Sequence, residues 1–236
     1  MISKNQLKAV RQLEMKKYRT REGLFVAEGP KVVGDLLRCG FRPAMLFATA
    51  EWNGSDAQLV TDDELRKLSF LQHPQQVLAV FPIPDVQPAA QKSQLALVLD
   101  GVQDPGNLGT IIRIADWFGI STIFCSEDTA DAWNPKVVQA TMGSIARVQI
   151  VYCDLQQLLK DTTLPVYGTL LDGNNIYEQE LKPEGYIVMG NEGNGISAPI
   201  RQLVTHRLLI PSFRPGAESL NVAIATAITC SEFRRR

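Results

Sequence analysis

The sequence is short of histidine, of paired cysteines and of long apolar runs, and each shortage removes a class of function. Its 236 residues include only two histidines, His73 and His206. A His-based catalytic triad or a multi-His metal site is thereby almost excluded, and no metal is expected. Four cysteines, Cys39, Cys125, Cys153 and Cys230, stand far apart with no C-x-x-C pair. Neither a disulfide framework nor a zinc knuckle is indicated, and reduced, mostly buried thiols are expected. No apolar stretch approaches the roughly 18 residues needed to cross a bilayer, and the opening MISKNQLKAVRQLEMKK lacks the apolar core of a signal peptide. A cytoplasmic protein with no membrane association is the expectation. What is present is an ordinary globular composition, 45% hydrophobic and 21% charged, on a chain long enough to bury a core in one or two domains.

Net charge is also nearly absent, at −1, but it is unevenly spread. Residues 1–22 hold Lys4, Lys8, Arg11, Lys16, Lys17, Arg19 and Arg21 against two Glu, and the chain ends in Arg234, Arg235 and Arg236. Everything between is acidic. A basic helix at 1–22 on an acidic body suits a polyanion, because phosphate neutralisation supplies most sequence-independent affinity for nucleic acid. A solvated helix face explains the same charges equally well.

Composition breaks at PIPDVQPAAQKSQ (82–94), where Pro82, Pro84 and Pro88 forbid a regular element. The chain divides there into a domain at 1–85, a linker at 86–94 and a second domain at 95–236. In the first, LFVAEGPKVVGDLLRCG reads as a strand, a turn at Gly29-Pro30 and a helix closed by Gly40, while AMLFATA and QVLAVF read as strands around a DDELRKLSF helix. In the second, apolar strands LALVL (95–99), STIFCS (121–126), ARVQIVY (146–152), LPVYGTLL (164–171), GYIVMG (185–190) and HRLLIP (206–211) alternate with helices. That alternation predicts an α/β fold with a parallel sheet covered on both faces, whose ligands collect at the carboxyl ends of the strands.

Three strand ends are unusual: DGVQDPGNLG (100–109), GNEGNGIS (190–197) and IPSFRPGAESLN (210–221). The first has the glycine spacing of a phosphate-binding P-loop, but Asn107 stands where the lysine is required. The second spaces its glycines as G-x-x-G-x-G rather than G-x-G-x-x-G, and no acidic residue follows at the distance a dinucleotide site needs. Neither an NTPase nor an NAD-type site is supported.

Taken together, NLGTIIR (107–113), GNEGNGIS and IP…ESLNVAIATAI (210–228) resemble, in order and spacing, the three signature motifs of the SpoU/TrmH branch of the SPOUT methyltransferases. GLFVAEGPKVVGDLL is similar to the N-terminal substrate-binding domain of the same family. The resemblance implies S-adenosylmethionine as cofactor and a ribose 2′-hydroxyl of RNA as methyl acceptor, with rRNA favoured over tRNA and guanosine over other bases. It implies a deep C-terminal trefoil knot, a small N-terminal α/β RNA-binding domain and a homodimer that completes the cofactor site.

The resemblance also assigns residues. Arg113 acts on the ribose hydroxyl; Asn107 and Glu192 position Arg113 or the substrate; Asn221 joins them at the start of the last helix. Gly190, Asn191 and Gly193 let the backbone approach the cofactor, Ile210 and Leu220 flank its adenine, and Ser219 binds cofactor or ribose. Since a guanidinium is essentially never deprotonated, Arg113 serves better as a clamp on ribose and phosphate that lowers the hydroxyl pKa than as a literal base. The motif-three loop is one residue longer than the common family spacing and has Ser212 after the proline, which adds Arg214 as an RNA contact. A catalytically silent RNA-binding protein on the same fold is the alternative, against which five intact motif polar residues speak.

Overall fold

The computed structural model describes residues 1–50, 52, 56–85, 94–214 and 219–235. Most of the proposed linker (86–93), part of the motif-three loop (215–218) and Arg236 lie outside the described residues. In chain order the elements are α1 (Lys4–Gln12), α2 (Lys16–Glu22), β1 (Leu24–Glu28), α3 (Pro30–Arg38), β2 (Met45–Ala48), β3 (Gln58–Leu59), α4 (Asp62–Leu68) and β4 (Val77–Pro82). They continue as β5 (Leu95–Asp100), α5 (Pro105–Trp117), β6 (Thr122–Cys125), α6 (Pro135–Ala140), β7 (Gln149–Tyr152), α7 (Leu155–Lys160), β8 (Val166–Asn175), β9 (Gly185–Gly190), α8 (Ala198–Arg201), β10 (His206–Leu209) and α9 (Val222–Arg235).

Two compact units result, one of residues 1–85 with 131–147, the other of 86–130 with 148–236. Asp131 and Trp133 join the first of these units, Asp131 by a 2.5 Å ion pair with Arg19 and Trp133 by a ring contact with Phe25 at 4.7 Å. A buried charge and an aromatic contact outweigh sequence adjacency. The basic segment is likewise not one helix. Ser3 and Gln6 close a capping box on α1, the chain turns at Leu13 to Met15 so that Val10 and Leu13 enter the core, and α2 ends on Gly23 with φ +63°.

The first unit carries a four-stranded sheet in the order β1-β4-β2-β3, with β4 antiparallel to both β1 and β2. The two-residue β3 has no period to announce it. Every residue of β1 after Leu24 is buried, and Val26, Phe47, Leu78 and Val80 pack under α1 and α4 with Val10 and Leu65. Each such fully buried aliphatic or aromatic side chain contributes roughly 1.5–3 kcal/mol.

The second unit is a six-stranded sheet, order β10-β8-β9-β5-β6-β7, in which all neighbours are parallel. All six residues of β5 and of β9 are buried, as a sheet covered on both faces demands. The strands end at one edge, so the loops after β5, β9 and β10 share it. β10 pairs with Tyr167 and Gly168 of β8 and then, after a register shift between Arg207 and Leu208, with Asn174 and Asn175. The skipped stretch Thr169–Gly173 bulges, and Gly173 is obligatory there because a Cβ would lie 2.6 Å from the Leu208 carbonyl carbon. The last helix packs on β8 through Phe233 against Tyr167 (centroids 4.8 Å apart) and on α5, whose final carbonyls at Phe118 and Gly119 accept from Arg234. Arg235 pairs with buried Glu232. The end of the helix therefore uses two of the terminal arginines internally. All four cysteines are free, and burial pushes the Cys230 thiol up to about 12.

Candidate active site

The site assembles at the carboxyl ends of β5, β9 and β10, where three loops are held by side chains rather than by a ladder. Asp104 caps α5, accepting from the Asn107 N–H at 2.8 Å, with Pro105 preset for the first helical turn. That places the Asn107 side chain toward the loop after β9. Its amide donates to Glu192 Oε1 at 3.0 Å, and Glu192 also accepts from the backbone N–H groups of Gln103 (3.2 Å) and Asp104 (3.1 Å). Asn221 completes the chain by donating to Asn107 Oδ1 at 2.9 Å, while its own Oδ1 caps α9 at Ala223 and Ile224. One row, Asn221 to Asn107 to Glu192, therefore joins all three signature segments. Partial burial works to raise the Glu192 pKa, but hydrogen bonds from Asn107 and from backbone N–H groups outweigh it and hold the carboxyl below its ordinary value of 4.5.

The loop after β9 is tightly folded. Asn191 and Gly195 exchange two backbone bonds of 2.9 Å. Asn191 Oδ1 accepts from the N–H groups of Gly193 and Asn194, and its amide donates to the Gly101 carbonyl at 2.7 Å. Asp100, buried at the end of β5, accepts from Ser197 N–H at 2.7 Å. Gly190 is dictated by this folding: a Cβ would sit 2.2 Å from the Gly195 carbonyl carbon and the Ile196 nitrogen. Close approach to the loop's own backbone thus requires glycine at 190 whether or not a ligand is bound. At Gly193 the nearest atom to a Cβ would be Asn191 Oδ1 at 3.6 Å, so nothing within the chain demands glycine there.

A cavity of about 680 Å³ opens beside the loop, and Gly190, Asn191, Gly193, Ile210, Ser219 and Leu220 all line it, as does Glu192. Its apolar wall includes Leu170, Met189 and Leu208. This volume lies within the range of small-molecule and cofactor sites. Sequence reasoning missed the bulge Thr169–Asp172 and Arg201, which also line it; the only signal in the sequence was an ordinary strand, and the register shift that turns it inward is a tertiary effect. Asp100 and Gln103 were missed because their parts are played by burial and backbone.

Arg113 stands apart. It is exposed, does not line the cavity, and has no hydrogen bond or ion pair among the described residues. Six residues of helix separate it from Asn107, about 120° around the axis at 3.6 residues per turn. Its face of α5 carries the exposed positions Gly106, Thr110 and Trp117, the last 85% exposed.

Of the basic candidates, Lys4, Lys8, Lys16, Lys17, Arg21 and Arg214 are exposed. Arg19 is not available to phosphate: it is 2% exposed, bonded to Asp131 and to the carbonyls of Leu13 and Glu14. Arg11 is also exposed, and it donates to the Ser69 carbonyl at 2.6 Å and stacks on Phe70. Arg19 has a structural role. Among the described residues no cluster of metal-binding side chains and no helix long and apolar enough to cross a membrane is found.

Known proteins resemble the chain over nearly its whole length. The SpoU rRNA methylase family profile matches residues 94–231, and that of an MRM3-like substrate-binding domain matches residues 4–79. The 23S rRNA (guanosine(2553)-2′-O)-methyltransferase RlmP of Bacillus subtilis is 33% identical over 98% of this chain and 97% of its own. Among solved structures, a protein of Porphyromonas gingivalis described as an RNA methyltransferase of the TrmH family is 43% identical with a TM-score of 0.90, over 100% of this chain and 99% of that one. The AdoMet-bound rRNA methyltransferase of Sinorhizobium meliloti is 30% identical with a TM-score of 0.88, over 100% of this chain and 97% of that one.

Proposed function

The chain belongs to the SpoU rRNA methylase family, and from that premise we propose that it methylates a ribose 2′-hydroxyl of 23S rRNA, at a guanosine, using S-adenosylmethionine. The observation that carries the reading is the Asn221–Asn107–Glu192 row, which joins three loops at the mouth of a cofactor-sized cavity. The full-length similarity to the guanosine 2′-O-methyltransferase of Bacillus subtilis supports the substrate, and the AdoMet-bound relative supports the cofactor.

The residues fit the cofactor. The open position at Gly193 leaves room for a ligand against the backbone, Ile210, Leu220 and Leu170 offer an apolar slot for adenine, and the Glu192 carboxylate and the Ser219 hydroxyl offer polar partners. When bound, S-adenosylmethionine supplies an electrophilic methyl on a good leaving group. The protein then has to align a hydroxyl and assist loss of its proton. Arg113, permanently protonated, donates to the ribose oxygen and a neighbouring phosphate, stabilises the developing alkoxide, and directs the proton to that phosphate. Asn107 and Glu192 fix the start of the helix that carries Arg113.

The position of Arg113 about a third of a turn around α5 from Asn107, outside the cavity and beside exposed Trp117, supports a homodimer in which Arg113 serves the cavity of the partner. Exposed Ile224 on α9 adds to that apolar surface. The deep C-terminal trefoil knot that the family resemblance implies belongs to the same proposal. The first unit binds RNA through Lys4, Lys8, Lys16, Lys17 and Arg21, the last flanking Tyr18 at 4.9 Å as Lys17 does. Mapping ribose methylation in 23S rRNA from cells with and without the gene tests the function: one guanosine loses its methyl group in the deletion, and an unchanged map refutes the assignment.

A further inference from the structure

The rim of the cavity has a feature that neither the polar row nor the cofactor slot uses. Phe213 directly follows Ser212, which lines the cavity, and its side chain is 94% exposed. The backbone holds it outward: Ser212 Oγ donates to the Arg214 carbonyl at 3.0 Å and accepts from the Arg214 N–H at 3.4 Å, a tight turn with Phe213 at its tip. Leu171, on the cavity wall, is also strongly exposed.

The same rim is cationic. Asp172 and Arg201 line the cavity, and the single Asp172 carboxylate is shared by Arg201 and, at 3.1 Å, by Arg207. Arg201, Arg207 and Arg214 outnumber the carboxylates Asp172 and Glu192 by one. An exposed aromatic ring on a rim that also carries a surplus guanidinium group matches a nucleotide turned out of its stack, the ring offering a face to the base and the arginines meeting its phosphates. Presenting a ribose hydroxyl deep in a site requires the chain around it to unstack, and a protein ring replaces part of what is lost.

We infer that Phe213 is the stacking platform for an unpaired base of the substrate RNA next to the methylated nucleotide, with Arg201, Arg207 and Arg214 on the adjoining phosphates. This rests on the methyltransferase reading above. Steady-state transfer of tritiated methyl from S-adenosylmethionine to unmodified 23S rRNA transcript tests it, with cofactor affinity by calorimetry and oligomeric state by light scattering alongside. Phe213→Ala is expected to lower kcat/KM for RNA about tenfold or more with cofactor affinity and oligomeric state unchanged, and Phe213→Trp to stay within about twofold of wild type. An active wild type with an equally active Phe213→Ala overturns this inference alone. Loss of cofactor affinity would assign the ring to the cofactor site, and a changed oligomeric state to a second copy; either overturns it. A wild type that transfers nothing to RNA removes the functional reading and this one with it.

Discussion

The amide nitrogen of Asn107 lies 3.0 Å from Oε1 of Glu192 across 85 residues of sequence. Both residues are needed to hold the loop after β5 against the loop after β9, because Glu192 also satisfies two backbone N–H groups of the former. The row is solvent-exposed, so its worth lies in positioning the loops more than in burial.

Glu192→Gln is therefore expected to lower the methyl-transfer rate by roughly tenfold or more, in line with the loss of a charge-assisted network. The pH dependence gives the sign. The folded-state pKa of Glu192 lies below 4.5, so its contribution is complete above 4.5 and disappears as pH falls through the lowered value. Thermal unfolding from pH 3 to 7 should show wild type losing its advantage over Glu192→Gln toward the acid end; parallel curves would show that the carboxylate contributes nothing as a charge.

Arg113→Ala should leave stability within about 0.5 kcal/mol of wild type, because an exposed side chain without partners is removed. Methyl transfer should fall by roughly 100-fold or more, with calorimetric cofactor affinity unchanged. Mixed dimers of Arg113→Ala and a cavity-blocked Gly193→Trp chain should recover part of the activity if Arg113 works across the interface, and none if it serves its own chain.

Gly190 and Gly193 separate folding from binding. Gly190→Ala forces a Cβ onto the backbone of Gly195 and Ile196 and should cost about 1–3 kcal/mol in thermal or denaturant unfolding without cofactor. Gly193→Ala meets only Asn191 Oδ1 at 3.6 Å and should unfold like wild type while binding S-adenosylmethionine more weakly. Equal stability of the two variants would contradict the packing described for Gly190.

Buried Arg19 pairs with partly buried Asp131 within the first unit. Arg19→Met should destabilise by about 3–5 kcal/mol, since it strands a carboxylate, yet leave RNA affinity intact below the melting temperature. A fragment of residues 1–85 lacks Asp131 and Trp133 and should melt well below the same fragment fused to 131–147, as followed by circular dichroism. By contrast, Lys4→Ala with Lys8→Ala should weaken RNA binding and lower its salt dependence without a change in melting.

What the sequence disclosed divides along physical lines. Continuous apolar strands such as Leu95–Asp100 and Gly185–Gly190, and capped helices such as α4 behind Thr61 and Glu64, are local signals and were read correctly. The three loops were readable because their glycine, asparagine and glutamate residues are out of place in an ordinary turn. Arg19 was misread because charge alone does not show burial: seven basic residues look alike until Leu13 and Asp131 close over one of them. The regrouping of 131–147 and the inward bulge of Thr169–Gly173 depend on contacts between distant segments, which leave no period in the sequence. Gly190 has a second reason that leaves no mark in the sequence, because its own loop occupies the space of a side chain.

The most direct measurement is incubation of the purified protein with S-adenosylmethionine and unmodified 23S rRNA, followed by nucleoside mass spectrometry. Formation of 2′-O-methylguanosine at one position, absent with Arg113→Ala, is the expected result. No methyl incorporation, or a methyl group on a base instead of a ribose, would contradict it.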